Sequence, residues 1–404
     1  MTALTVHSDS TLAPSRNGTA DPGPLCAAHT PNFPTLLRQL GASLLVTTYQ
    51  AGKLVMVRDE GDHLNTHYRA FQSPMGLALA ESGTRLAIGT TLQVWEFRDV
   101  PDVARRLPRK DEGGRMKDEQ SKDSSDSSFI LHPSSFHDAC FLPRSSHVTG
   151  NVLIHEMAYG AGGQLWFVNT RFSCLATLDP EASFTPRWRP PFVTELEPSD
   201  RCHLNGLAMV NGKPKYVTAL GETNEMAGWR ANKAKGGILM DVDSGEVLCR
   251  GLSMPHSPRW HGGRLWVCES GSGTLGTIDQ NTGRYEAVAA VPGFTRGLDF
   301  AGDLAFVGLS QVRESAVFSG IPITERLAPK QRTCGVCVVD LRRGEVIGLL
   351  KFTSGVQEVF AVALLPRRFP DLINDDEKLL ESSFVVPTEC LGDVAATVRA
   401  SGRA

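Results

Sequence analysis

The chain has 404 residues, with 41 lysines and arginines against 44 aspartates and glutamates, for a formal net charge of −3. This balance argues against general affinity for nucleic acid or an anionic membrane surface, and no apolar run approaches the ~18 residues of a membrane span. Hydrophobic residues make up 41% of the chain, enough to fill a core.

Residues 1–32 are rich in Ser, Thr, Ala, Pro and Gly and have no hydrophobic period, so they read as a disordered tail. Met1 to Asp21 carry no basic start followed by an apolar core, and with no export signal the nine cysteines are expected to be free thiols in the cytoplasm. From residue 33 to 370 the chain is a succession of short strands. Leu44–Tyr49, Lys53–Arg58 and His67–Phe71 form three strands that lack an inner partner.

A repeated unit follows, in which an apolar strand, a turn and a second strand recur five times. The pairs are Met75–Ala80 with Arg85–Gly89, Ile154–Tyr159 with Gln164–Asn169, Asn205–Val210 with Lys215–Ala219, Ser257–Trp260 with Arg264–Cys268, and Arg296–Phe300 with Asp303–Gly308. Turns such as Asp243–Glu246 and Gln280–Arg284 favour tight hairpins for the outer strands. Residues 108–135, whose centre is charged and serine-rich, interrupt the first unit and read as a disordered insertion. The pair Cys334 and Cys337 reads as part of an apolar strand, because no second C-x-x-C completes a zinc site. After Glu358 only one clear strand remains, and residues 371–404 form a peripheral segment.

Inner strands starting at Met75, His155, Asn205, Ser257, Arg296 and Glu358 are separated by 80, 50, 52, 39 and 62 residues. The shortest step matches the ~40–50 residues of a four-stranded propeller blade. The single strand after Glu358 and the three unpartnered N-terminal strands together make one blade, which predicts an all-β, six-bladed propeller closed by both ends of the chain.

In such a ring the starts of the inner strands and the ends of the second strands surround one mouth of the channel. His155, His203 and His256 come from three successive blades at what the spacing takes as equivalent places, and imidazoles so gathered point to a divalent transition metal such as zinc, copper, iron or manganese. A metal-free polar pocket and purely structural histidines are the alternatives. Glu156 and Glu358 are candidate proton carriers, and Arg296 is a candidate to orient an anionic group. Asn169, Arg171, Asn205, Glu222 and Glu269 complete the expected lining and are candidate substrate contacts. His137 and His147 precede the second blade and could reach the same mouth.

The strings Ile154-His-Glu-Met-Ala, Cys202-His-Leu-Asn-Gly-Leu-Ala, Met254-Pro-His-Ser-Pro-Arg-Trp, Gly293-Phe-Thr-Arg-Gly-Leu-Asp-Phe and Gly355-Val-Gln-Glu-Val-Phe resemble a bacterial family of conserved proteins defined by a domain of unknown function. The resemblance covers about residues 33–368. It implies a tetratricopeptide-protein partner, since the family is sometimes associated with such proteins. More distantly, Asn205-Gly-Leu-Ala is similar to the inner-strand start of gluconolactonase and strictosidine-synthase-like propellers. Those proteins use a carboxylate- and Asn-rich calcium site, whereas histidine dominates here. A three-His centre in a six-bladed propeller is instead similar to that of the peptidyl-hydroxyglycine lyases. The expectation is a metal-dependent hydrolase or lyase acting on a small-molecule or peptide ligand, with a non-catalytic binding propeller as the other reading.

Overall fold

The computed structural model describes residues 13–14, 16–17, 25–107, 136–312, 319–374 and 377–387. Six small antiparallel sheets form a β-propeller. Blade 1 comprises Leu77–Leu79, Arg85–Gly89, Gln93–Asp99 and Ala139–Val148, and blade 2 comprises Ile154–Tyr159, Leu165–Asn169, Cys174–Thr177 and Thr185–Trp188. Blade 3 is Leu204–Val210, Lys213–Ala219, Gly237–Asp241 and Val247–Leu252, and blade 4 is Pro255–His261, Arg264–Glu269, Thr274–Ile278 and Tyr285–Ala290. Blade 5 is Phe294–Ala301, Leu304–Ser310, Gly335–Asp340 and Glu345–Phe352. The strands of each blade are called A to D from the axis outward.

Blade 6 takes its A strand, Ala361–Leu365, from the C-terminal side and its B, C and D strands, Ser43–Thr48, Lys53–Asp59 and Leu64–Ala70, from the N-terminal side. The joint is antiparallel, Ala361 facing Thr47 and Leu365 facing Ser43. Each A strand touches the A strands of both neighbouring blades, so the ring is closed. Alternating side chains from facing sheets form the core between blades rather than within one. Leu45, Phe97, Ile154 and Phe167 belong to one cluster that spans blades 6, 1 and 2. Val46, Phe306 and Val338 fill the space between blades 5 and 6.

The edges of the propeller extend beyond the limits expected from sequence. Ala27–His29 adds a strand outside the D strand of blade 5, with His29 opposite Leu350. The tail expected over 1–32 is therefore built into the sheet at its end. The helix Phe33–Leu40 follows, and Phe33 packs edge-on against Phe306 at 6.4 Å. At the other end, Pro370–Leu372 pairs in parallel with Ala139–Phe141, so the segment expected to be peripheral begins as an outer strand of blade 1. The insertion expected over 108–135 lies outside the described residues. Cys334 and Cys337 are buried at Gly335–Asp340 as free thiols, and burial pushes the Cys334 thiol up to about 12.

Candidate functional site

The ladder registers define which residues occupy equivalent places around the axis. Ile154 faces Asn169, Leu204 faces Ala219, Pro255 faces Glu269 and Phe294 faces Ser310. One step further along each A strand come His155, Asn205, His256 and Thr295, and one step beyond those Glu156, Gly206, Ser257 and Arg296. The sequence expectation of three equivalent histidines is thereby corrected: His155 and His256 share a place, Asn205 takes it in blade 3, and His203 lies two residues earlier. The chain reaches these positions through a left-handed residue, with Leu153, His203 and Met254 at φ of 50°, 51° and 46°. Such a conformation is costly for non-glycine residues and persists only where the surroundings enforce it. Here it turns the following strand so that its second side chain meets the axis.

His155 and His256 are held by the same device. The Nδ1–H of His155 donates to the Leu153 carbonyl at 2.7 Å and lies 2.8 Å from Thr170 Oγ1, which itself donates to the Leu204 carbonyl of blade 3. The Nδ1–H of His256 donates to the Met254 carbonyl at 3.0 Å and lies 2.9 Å from Ser270 Oγ, which donates to the Thr295 carbonyl of blade 5. A carbonyl only accepts, so Nδ1 carries the proton in both rings and Nε2 keeps its lone pair. Both side chains are nearly buried, 6% and 4% exposed. Desolvation, and next the Arg296 charge, hold both imidazoles well below their ordinary value, so they are neutral near pH 7.

His203 stands at the lip, edge-on to His155 with ring centres 5.0 Å apart. Its Nδ1 is 2.9 Å from Asp200, which also accepts from Trp229 Nε1 at 3.2 Å, and Trp229 packs against the His203 ring at 4.5 Å. Among the described residues no three His, Cys, Asp or Glu side chains converge closely enough to enclose a metal ion.

Arg296 and Asn205 supply donors. The Arg296 guanidinium carbon stands over the Phe360 ring, 3.5 Å from its centre, and among the described residues Arg296 makes no ion pair. Burial pushes it down to about 10, against the pull of Glu358 and Glu156, so it remains charged. Asn205 is 2% exposed; its Oδ1 accepts from Thr218 Oγ1 at 2.7 Å, while its buried Nδ2 has no partner among the described residues. His155, Glu156, Asn205, His256, Ser257, Arg296, Phe360 and Ala361 line one hollow whose free volume is about 10 Å³, room for a single water-sized species.

The remaining expected residues are placed as follows. Glu156 lines the hollow but is ion-paired with Arg259, a half-buried partner the sequence reading overlooked. Glu358 is half-buried at the lip, near enough to Arg296 to oppose its desolvation. Asn169 is buried beside the His155 strand, its Oδ1 accepting from the Phe172 N–H at 3.1 Å and its Nδ2 without a partner among the described residues. Arg171 donates to the Asn151 carbonyl at 2.5 Å. Glu222 pairs with Arg250 of the outermost strand of blade 3 at 2.7 Å, away from the axis. Glu269 accepts from the Ser253 N–H at 3.2 Å, closing the turn before blade 4. His137 and His147 do not reach the hollow: His137, just before strand D of blade 1, bonds the Leu107 carbonyl, and His147, on that strand, bonds the Ser183 carbonyl. Phe360, the floor beneath Arg296, was not singled out from sequence; its signal is an aromatic two residues after Glu358 at the start of the closing strand.

Among curated proteins none matches the chain at a significant level. Solved structures with a similar fold include a chain of a nidogen/laminin complex, with a TM-score of 0.49 at 9% identity, covering 80% of this chain and 98% of that one. A protein of unknown function from Bacteroides caccae gives 0.48 at 8% identity, over 80% and 98%. Virginiamycin B lyase from Staphylococcus aureus gives 0.37 at 11% identity, over 76% and 79%. The model of the domain of unknown function DUF4915 matches residues 31–117 and 122–373, and the chain belongs to that family.

Proposed function

We propose that the mouth of the channel binds a small anionic group on Arg296 and Asn205, and that the protein is an enzyme of hydrolase or lyase type in which His155 or His256 accepts a proton at Nε2. The observation that carries this reading is the juxtaposition of two unpaired donors, the Arg296 guanidinium and Asn205 Nδ2, with two neutral imidazoles in one hollow. Arg296 depresses both histidines through its charge. An anion seated on Arg296 screens that charge and makes the imidazoles better bases once the ligand has arrived. Glu358 at the lip is the second group able to exchange a proton with bulk water.

A second reading rests on the tied-back Nδ1–H groups, an arrangement typical of histidines that ligate a metal through Nε2. In that reading His155 and His256, with His203 at the lip as the third histidine, would hold a divalent transition metal, and the metal would supply Lewis acidity there. The charge of Arg296, only partly offset by Glu358 and Glu156, weighs against a further cation unless a bound anion balances it.

Histidine ring resonances of the full-length protein, followed by NMR during titration with acetate, test the first reading. The His155 and His256 signals are expected to shift, and Arg296→Met, which keeps the contact with Phe360 but removes the charge, is expected to abolish the response. Signals indifferent to acetate would overturn it. Elemental analysis decides the second reading: about one equivalent of metal, lost in a His155→Asn, His256→Asn double variant, establishes it, and metal-free protein with intact anion binding rejects it.

A further inference from the structure

The hollow at the axis admits only the end of a ligand, so the bulk of any larger molecule must rest on the surrounding face. That face is unusual in composition. Among the described residues of the propeller, the exposed large apolar side chains are Tyr49, Leu92, Val148, Leu196 and Met226, between 39% and 74% exposed. All five belong to the mouth side. Tyr49, Leu92 and Met226 lie in the loops joining strands B and C of blades 6, 1 and 3, Val148 ends strand D of blade 1, and Leu196 lies in the connection from blade 2 to blade 3. Tyr49, Leu196 and Met226 stand singly on separate loops, whereas Leu92 and Val148 are neighbours on blade 1, where Val148 pairs with Gln93 beside Leu92, and this pair is the apolar part of the rim to which a ligand seated at the axis can dock.

We propose that this face binds a peptide segment by its C-terminus, with the terminal carboxylate on Arg296 and Asn205 and the preceding apolar side chains against the rim. The proposal rests on the anion-binding reading above and names its ligand class. Charge selects the end group: a carboxylate offers acceptors for the guanidinium and for the unpartnered Asn205 Nδ2 in a hollow too small for more than a terminal oxygen. Geometry selects the rest. Strands are spaced by about 4.8 Å, so the B–C loops stand about 5–10 Å and the D strands about 14 Å outward from the A strands. An extended peptide advances about 3.3 Å per residue, so four or five residues span that distance. The apolar side chains sit on separate loops among polar neighbours such as Gln50, Thr91, Glu195 and Glu197. This spacing suits alternating side chains and backbone rather than the continuous apolar surface that an acyl chain or bilayer requires.

The test uses the full-length protein and an N-terminally labelled pentapeptide of alanine, leucine and phenylalanine, followed by fluorescence anisotropy. The free acid is expected to bind at least tenfold more tightly than the same peptide with an amidated C-terminus. A Leu92→Ser, Val148→Ser double variant, both changes on the blade 1 rim that one outward-running peptide can cover, is expected to weaken peptide binding at least fivefold while leaving the acetate response of the histidine resonances unchanged. Equal binding of acid and amide, binding of dodecanoate tighter than of the peptide, or no weakening in the rim variant would each overturn the peptide proposal while leaving the anion centre intact. Loss of the acetate response in the unaltered protein would overturn both.

Discussion

Glu156 shows how burial assigns a role that residue type leaves open. Its carboxylate is ion-paired with Arg259, whose burial lowers it but whose attraction and hydrogen bond to Glu156, helped by Asp299 and Cys268, leave it above its ordinary value. Removing one partner of this partly buried pair strands the other charge, so Glu156→Ala should lower the urea midpoint, by less than the about 3–5 kcal/mol of a fully buried pair because Arg259 keeps some contact with solvent. Joint replacement by Glu156→Leu and Arg259→Met should recover most of that loss. A single variant as stable as the unaltered protein would show that the pair contributes nothing. The depressed histidines set a pH dependence. His155, His256, His29 and His67 are all held below the ordinary 6.5, with desolvation as the leading cause. The unfolded chain therefore binds protons near that value while the folded chain does not, and stability must fall as pH drops below about 6.5. Each group contributes a slope of up to about 1.4 kcal/mol per pH unit until its folded value is reached. Denaturant midpoints measured from pH 7.5 to 5 should show the decline, and it should be shallower in the His155→Asn, His256→Asn variant.

Elements position these residues through close backbone approaches. Gly297, next to Arg296, has φ 83°, and its N–H donates to Ser257 Oγ at 3.0 Å. A Cβ there would stand 2.8 Å from the Val362 backbone nitrogen on the closing strand. Gly297→Ala should therefore push blade 5 away from blade 6, lower stability, and weaken acetate binding by shifting Arg296. Unchanged acetate affinity would show that the site tolerates the displacement. The outer strand Pro370–Leu372 works as a strap between blades 1 and 6. Asp371 is 6% exposed and contacts Arg69 Nη2 at 2.9 Å and His67 Nε2 at 3.3 Å. Burial alone would raise its carboxyl, but His67, Arg69 and Arg58 hold it well below the usual carboxylate range. Its contribution is thus present above about pH 3.8 and is lost as acid protonates it at its depressed value. Asp371→Asn should leave the Arg69 and Arg58 charges without the carboxylate they face, costing about 3–5 kcal/mol. A thermal midpoint unchanged by the substitution would refute the strap.

Across the whole molecule, the apolar clusters join blades in a continuous circuit. Val168 of blade 2 packs with Leu207 of blade 3, Leu239 of blade 3 with Leu265 of blade 4, and Cys268 of blade 4 with Leu298 of blade 5. The closing strand then links Val362 of blade 6 to Phe306 of blade 5. No blade buries its two faces alone, so the ring should unfold in one transition, with tryptophan fluorescence and far-ultraviolet circular dichroism coincident in urea. Two separated transitions would mean that part of the ring folds independently. The sequence by itself determined the architecture: strand alternation and turn chemistry repeat at blade intervals, and the unpartnered strands at the two ends require each other. It also brought His155, Asn205, His256 and Arg296 to one mouth, because they start successive inner strands. Only the tertiary structure decided that His203 stands two positions back, that Glu156 belongs to Arg259, that Glu222 is drawn outward to Arg250, and that Phe360 underlies Arg296. Those outcomes depend on a left-handed residue, a bulge, or a partner on a neighbouring blade. Such contacts join residues up to 103 positions apart, as Glu156 and Arg259 are, and local periodicity carries no record of which of two nearby polar groups will find its counterpart first.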